Sequence, residues 1–579
     1  MIRYLVDVGA TNRHSLSVEL RVERPDSTQR LSLPAWIPGS YLVREFTRHL
    51  SGLAAEQGGS ALPLEQLDKA TWLARCAAGI PLVVRYRVHA FDTSVRAAFL
   101  DGSRGFFNGT GVCLRVEGHE GEPHTLALHG LPAGWDVATT LDALPGGGAH
   151  EFGAADYDTL VDHPIELGPF WRGRFDVAGV AHEFVVAGAW PQFDGERLLA
   201  DAKRICDEEI RFWHEGGKPP FSRYVFMLYA TDDGYGGLEH RASTALIAAR
   251  KDLPRQGVPG SSDGYVTLLG LISHEYFHTW NVKRLKPAEF LPYDYAQENY
   301  TQLLWFFEGF TSYYDDLFLL RAGLVDPARY VKLVGRAMNG VRQSPEQHVQ
   351  SVAEASFDAW VKYYRADENT PNATISYYAK GSLVALALDL TLRSEGKGSL
   401  DDVMRRLWQV SDGGPIDEGD IAAALESVGG RSYERELSAW VHGTDELPLA
   451  PLLQRFGVEI EPQPATLAQR LGIRVSESAL TGVKLSHVLR GGAGEGVGLA
   501  PGDEVIAIAG WRVRRLDDAL RALPAEGEVP LVVGRDQRLL TLPLSVASLA
   551  GAEAGALQLK PIEKADAETR RRYEAWTGG

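Results

Sequence analysis

The segment L-I-S-H-E-Y-F-H-T-W, residues 271–280, places two imidazoles and a carboxylate at a spacing that can do chemistry. On a helix, His274 and His278 fall on one face a turn apart. Such a pair grips one zinc ion, and Glu275, beside the first histidine, reaches a water on the metal. His-Glu occurs at 119, 150, 182, 214 and 274, and only the last pair has a second histidine four residues after the first. A catalytic zinc needs a third protein ligand and an open position. Two glutamates compete for that role, Glu298 in D-Y-A-Q-E-N-Y-T and Glu308 in W-F-F-E-G-F-T-S-Y-Y. A solvated Glu298 needs no special partner. Glu308, set among Trp305, Phe306, Phe307 and Phe310, is expensive to bury without a cation, so it is the expected ligand. The chemistry is metal-assisted hydrolysis, with zinc acidifying water and polarising a carbonyl and Glu275 carrying the proton to the leaving amine. Tyr377 and Tyr378, at the start of a helix, are both candidates to stabilise the oxyanion, and residue type does not choose between them.

These groups need a scaffold. The chain has 579 residues, enough for several domains, and 45% of them are apolar. Residues 1–170 read as an all-β domain: H-S-L-S-V-E-L-R-V-E-R-P puts Leu16, Val18, Leu20 and Val22 on one side, and L-V-V-R-Y-R-V-H-A and H-T-L-A-L-H-G-L keep the same period of two. From 171 the pattern is mixed. F-D-V-A-G-V-A-H-E-F-V-V-A-G reads as a hairpin, the segment around 198–216 as a helix and R-Y-V-F-M-L-Y-A-T as a strand, with D-D-G-Y-G-G a turn. From 264 to about 450 long apolar segments with caps predict a helical lobe. The expectation is one α+β catalytic domain over 171–454, α/β to about 263 and helical after it. A compact β-rich module over 455–550 and a charged tail or helix over 551–579 complete the chain.

The formal charge, 59 − 76 = −17, argues against a nucleic-acid binder, and no apolar run is long enough to span a bilayer. Cys76, Cys113 and Cys206 are too scattered for a disulfide framework or a metal cluster and read as small core residues. A reducing, cytoplasmic location fits. The periplasm is the alternative if a leader precedes M-I-R-Y-L-V-D-V.

Together H-E-Y-F-H, W-F-F-E-G-F-T-S-Y-Y, Y-Y-A-K-G and the N-terminal W-I-P-G-S-Y-L-V-R-E-F (residues 36–46) resemble the glycyl aminopeptidase family of zinc peptidases, which is related to thermolysin-like aminopeptidases. The resemblance covers nearly all of the chain. It implies a β domain, a thermolysin-like α+β catalytic domain with a helical lobe, and a C-terminal PDZ domain. It implies one Zn2+ held by His274, His278 and Glu308, with Glu275 as general base, and it picks Tyr378 over Tyr377. G-G-L-E-H, residues 236–240, is similar to a G-x-M-E-N segment that lines the cleft in relatives. On that resemblance Glu239 receives the free α-amine of a peptide substrate, with Gly236, Gly237 and His240 around it. Without it, Glu239 reads as a surface residue of a glycine-rich turn. Leu238 and His240 depart from the pattern, and His240 is open between substrate contact and a structural hydrogen bond. The resemblance also implies a preference for glycine or alanine at the amino terminus.

G-L-A-P-G-D-E-V-I-A-I-A-G, residues 498–510, resembles a PDZ segment with Val505, Ile506 and Ile508 entering its core, and R-L-G-I, residues 470–473, resembles a loop that cradles a peptide carboxylate. A C-terminal peptide ligand and a bracing role are both open for this module. Asp315 and Asp316 are candidate acceptors behind a zinc-ligating histidine. The expected activity is zinc-dependent aminopeptidase action on small amino-terminal residues. A zinc endopeptidase or broad-specificity aminopeptidase is the alternative, and an inactive PDZ scaffold is disfavoured by the retention of Glu275.

Overall fold

The computed structural model describes residues 1–478, 480, 482–550 and 555–578; residues 551–554 and 579 of the expected tail lie outside the described residues. The chain separates into two compact units. One comprises Met1–Tyr300, Ala322–Leu324 and Leu407–Ile416; the other comprises Thr301–Arg321, Val325–Arg406 and Asp417–Gly579. The cut at residue 300 falls inside the span expected to be one catalytic domain.

The first unit begins with three sheets. The largest has eight strands, with Ile2–Asp7, Ser15–Val22 and Leu82–His89 side by side at its middle. Leu16, Val18, Leu20 and Val22 all point into the core, as the alternation requires. A five-stranded sheet follows, in the order Trp171–Val177, Val180–Ala187, Arg223–Thr231, Ser243–Ala249, Tyr235–Glu239. Its first two strands are joined by Ala178 and Gly179, both at positive φ, the two-residue turn that matches strand twist. Helix Gly195–His214, capped by Asp194, buries Leu198, Ile205, Ile210 and Trp213. Residues 235–239 are an edge strand and not the expected turn, because Gly237, Leu238 and Glu239 pair with Leu246, Ala245 and Thr244.

The second unit is helical at first. It contains Leu304–Phe307, Gly309–Arg321, Pro327–Arg342 and Tyr377–Glu395, and its last part is β-rich. There Ile473–Ser478, Gly482–Val488, Glu504–Ile508, Glu528–Arg535 and Arg538–Ser545 run in sheet order around a core of Leu467, Leu471, Leu485, Val505, Ile508 and Leu531. Ile506, expected in the core from the PDZ resemblance, is only half-buried: the register shifts between Val505 and Ala507, which leaves Ile506 out of the ladder. Strands Val458–Pro462 and Leu557–Pro561 pair on either side of this module. The chain then forms helix Ala567–Thr577, whose Trp576 is fully buried against Tyr330 and Phe456. The end of the chain is therefore an anchored helix. No helix among the described residues is long and apolar enough to cross a membrane. The protein is thus multidomain, with a β-rich start, a central α+β region and a β-rich module near its end.

Candidate active site

Helix Asp263–Phe277 carries the H-E-x-x-H pattern. Ser262 caps it by accepting the Tyr265 N–H, an arrangement worth about 1 kcal/mol. Leu268, Leu269, Leu271 and Ile272 are all buried, so packing surrounds the helix and fixes its rotation. His278 ends it. The Nδ1 of His278 lies 2.7 Å from the Asn281 carbonyl and donates to it, which leaves the Nε2 lone pair for a metal. That Nε2 is 3.0 Å from Nε2 of His274. Two ring nitrogens converging on one point are what a divalent cation satisfies.

The edge strand Tyr235–Glu239 brings the other predicted residues to this helix. A Cβ added at Gly237 would overlap the Glu275 carboxylate, so glycine here lets the strand lie directly on Glu275. Glu239 ends the strand, 4% exposed, and its Oε1 has no hydrogen-bond partner among the described residues. Donor atoms of Glu239, Glu275 and His278 lie within 4.8 Å of one another. With the facing nitrogens of His274 and His278, a candidate metal-binding cluster of histidine and glutamate is therefore present, and its donor chemistry is consistent with a single Zn2+. His240 is buried too. Burial lowers its pKa, and its Nδ1 faces Asp162 Oδ1 at 3.4 Å.

The second unit holds Glu308 and the tyrosines. Glu308 is 2% exposed at the joint between helices Leu304–Phe307 and Gly309–Arg321, both apolar. Glu298, in the first unit, lies half-buried in an irregular segment. Ser376 caps helix Tyr377–Glu395. Tyr377 is fully buried, whereas Tyr378 keeps accessible surface and shares a 3.0 Å hydrogen bond with the Tyr364 hydroxyl. Burial, then the Glu308 charge, raise the Tyr378 pKa well above 10, so its phenol keeps its proton. Asp315 and Asp316 are half-buried on helix Gly309–Arg321.

Several residues near Glu239 carry no readable pattern in the sequence. Gly39, at φ +92°, packs so closely that a Cβ there would overlap the Glu239 carboxylate. Asp162 pairs with Lys283 at 2.7 Å. Gly39 lies inside the quoted W-I-P-G-S-Y motif, the one signal that could have pointed to it; lone Asp162 and Lys283 had none.

Fold and site together define a zinc metallopeptidase. A model of the M61 glycyl aminopeptidase matches residues 267–384, and one of the M61 N-terminal domain matches residues 3–169. The chain is 35% identical to an aminopeptidase N family protein from Idiomarina loihiensis, covering 100% of both chains with a TM-score of 0.92. The chain belongs to the M61 glycyl aminopeptidase family. It is a zinc-dependent peptidase of aminopeptidase type, and the family is consistent with a preference for small amino-terminal residues. An M1 zinc metallopeptidase from Deinococcus radiodurans is a remote similarity, at 16% identity over 77% of this chain and 94% of that one with a TM-score of 0.47. No curated protein matches the chain significantly.

Proposed function

We propose that the protein removes one small residue, glycine or alanine, from the amino terminus of peptides. His274, His278 and Glu308 would hold one zinc ion, a set with the two-imidazole, one-carboxylate make-up of a catalytic site. Bound there, zinc would lower the pKa of a water and polarise the scissile carbonyl. Glu275 takes the proton of the attacking water and delivers it to the leaving amine nitrogen. Tyr378 donates its O–H to the carbonyl oxygen as negative charge grows. Its retained proton and its accessibility support it over Tyr377. The substrate backbone lies along Gly236 and Gly237, on the edge strand whose outer side pairs with no strand among the described residues. His240 backs Glu239, which receives the α-ammonium.

The observation that carries this reading is the Glu239 carboxylate. A buried carboxylate oxygen with no partner is costly, and an ammonium offsets that cost only when one is present. Gly39 closes the space on the far side of it. Kinetics on alanine anilide and on its N-acetylated form test the assignment. Glu239→Ala is expected to lower kcat/KM on the free amine about 100-fold and leave any hydrolysis of the blocked substrate unchanged. Equal losses on both would remove the amine-binding role. Rapid internal cleavage of N-blocked peptides by the unaltered enzyme would make it an endopeptidase.

For the C-terminal module a PDZ fold is the reading, supported by the turn at Gly502 and the place of strand Ile473–Ser478 at the end of its sheet's strand order. Bracing has direct support. The Asn372 side-chain amide donates to the Val488 carbonyl at 2.8 Å and accepts the Arg490 N–H at 2.9 Å, tying the module to the helical part of its own unit.

A further inference from the structure

Asp162 stands at the end of the short helix Tyr157–Val161, the last helix of the N-terminal β-rich region. Its buried carboxylate holds Lys283 Nζ at 2.7 Å, accepts the Arg241 backbone N–H at 3.0 Å, and faces His240 Nδ1 at 3.4 Å. Burial alone would raise its pKa, but Lys283, His240 and Arg241 outweigh burial and hold it well below the usual carboxylate range. Asp158, one turn earlier, pairs with the Arg241 guanidinium and accepts the Tyr295 hydroxyl. The Tyr295 carbonyl in turn accepts the Ala35 N–H at 2.7 Å, at the start of the W-I-P-G loop whose Gly39 abuts Glu239.

These partners are not a random set of surface ions. His240 and Arg241 directly follow Glu239. Lys283 belongs to the loop that leaves the metal-binding helix, and its backbone N–H donates to the His278 carbonyl at 3.0 Å. Between them Val282 sits at φ +123°, a conformation a β-branched residue holds only when its surroundings impose it. One buried carboxylate therefore joins the strand end carrying the amine site to the loop carrying the second histidine. An enzyme that cuts one residue from the amino terminus must fix the distance between the ammonium site and the metal, and small errors in such a distance cost rate.

We propose that Asp162 is a positioning residue for this reaction: by holding His240 and Arg241 on one side and Lys283 on the other, it fixes Glu239 relative to the metal-binding helix. The proposal rests on Glu239 as the α-ammonium site. Its Asp162 link crosses from the N-terminal region to the strand and loop it positions, so the N-terminal region helps set the distance between Glu239 and the metal-binding helix.

The test is a double-mutant cycle on alanine anilide hydrolysis with Asp162→Asn, Glu239→Gln and both together, with zinc content and thermal unfolding measured for each. Asp162→Asn is expected to keep its zinc and to lower kcat/KM at least about 10-fold, whereas in the Glu239→Gln background its effect falls below about twofold. A residue that only holds the fold together would cost the same factor in both backgrounds, and that result overturns the proposal, as would unchanged kinetics in Asp162→Asn. If Asp162→Asn does not fold, the same cycle with His240→Gln, which leaves the Asp162–Lys283 pair in place, decides it: a loss confined to the Glu239 background supports the proposal and an additive loss overturns it. If Glu239→Gln itself leaves alanine anilide hydrolysis unchanged, the amine-site reading fails and Asp162 loses its role with it. A loss in Glu239→Gln with none in Asp162→Asn overturns the Asp162 proposal alone.

Discussion

Gly237 lies against Glu275 so closely that a single added methyl would overlap its carboxylate. Strand and helix meet there with the Glu275 side chain between them. The contact is with the far end of a flexible side chain, so the fold can absorb a methyl by displacing the carboxylate. Gly237→Ala is therefore expected to fold and to keep its zinc while kcat falls about 100-fold, because the proton carrier is pushed out of position. Steady-state kinetics with metal analysis and a melting curve check this. A variant that unfolds, or one with normal kcat, contradicts it.

Glu308 and Glu298 separate cleanly by environment. Glu308 is buried between two apolar helices, and Glu298 is half-buried in an irregular segment. Glu308→Ala should lose most bound zinc and Glu298→Ala should keep it. Metal content by atomic absorption on the purified variants decides the point, and the reverse pattern would remove Glu308 as the third ligand.

His182 gives a pH prediction with a defined sign. It is buried beneath helix Asp263–Phe277, with Nδ1 donating to the Val180 carbonyl and Nε2 accepting the Tyr276 hydroxyl at 2.8 Å. Burial lowers its pKa from 6.5 to about 4. Between those values the unfolded chain binds the proton and the folded one does not, so stability is lost as pH falls from 6.5 towards 4 and does not change with this group above 6.5. The full contribution is about 3 kcal/mol. Urea unfolding of His182→Gln against the unaltered protein should show a shallower loss between pH 7 and 4.5 in the variant; parallel curves would contradict it.

The C-terminal helix makes a stability prediction. Trp576 is fully buried, with Nε1 donating to the Tyr313 hydroxyl at 3.2 Å and its ring against Tyr330. Trp576→Ala should destabilise by about 3–5 kcal/mol, visible as a lower Tm. An unchanged Tm would mean that this helix is not docked in solution.

The parts legible in the sequence were those with a period or a cost. The convergence of His274 and His278 follows from helical spacing, the burial of Glu308 from its apolar neighbours, and the early strands from the alternation of Leu16, Val18, Leu20 and Val22. Glu239 was legible only through resemblance, because a glycine-rich segment reads as a turn until Ser243–Ala249 is seen to pair with it. Asp162 and Lys283 were not legible at all. They are 121 positions apart, carry no pattern, and meet only because the β-rich region folds onto the loop after His278. Ile506, placed in the core with the PDZ resemblance, is only half-buried because the strand register shifts between Val505 and Ala507.

The central claim is zinc-dependent removal of a small amino-terminal residue, and one titration tests it. Hydrolysis of alanine and glycine anilides should stop when zinc is stripped by a chelator and return in full at about one zinc per chain, consistent with one catalytic zinc site per chain. Hydrolysis that persists in the metal-free protein, or metal-restored protein that cleaves neither substrate, would contradict it.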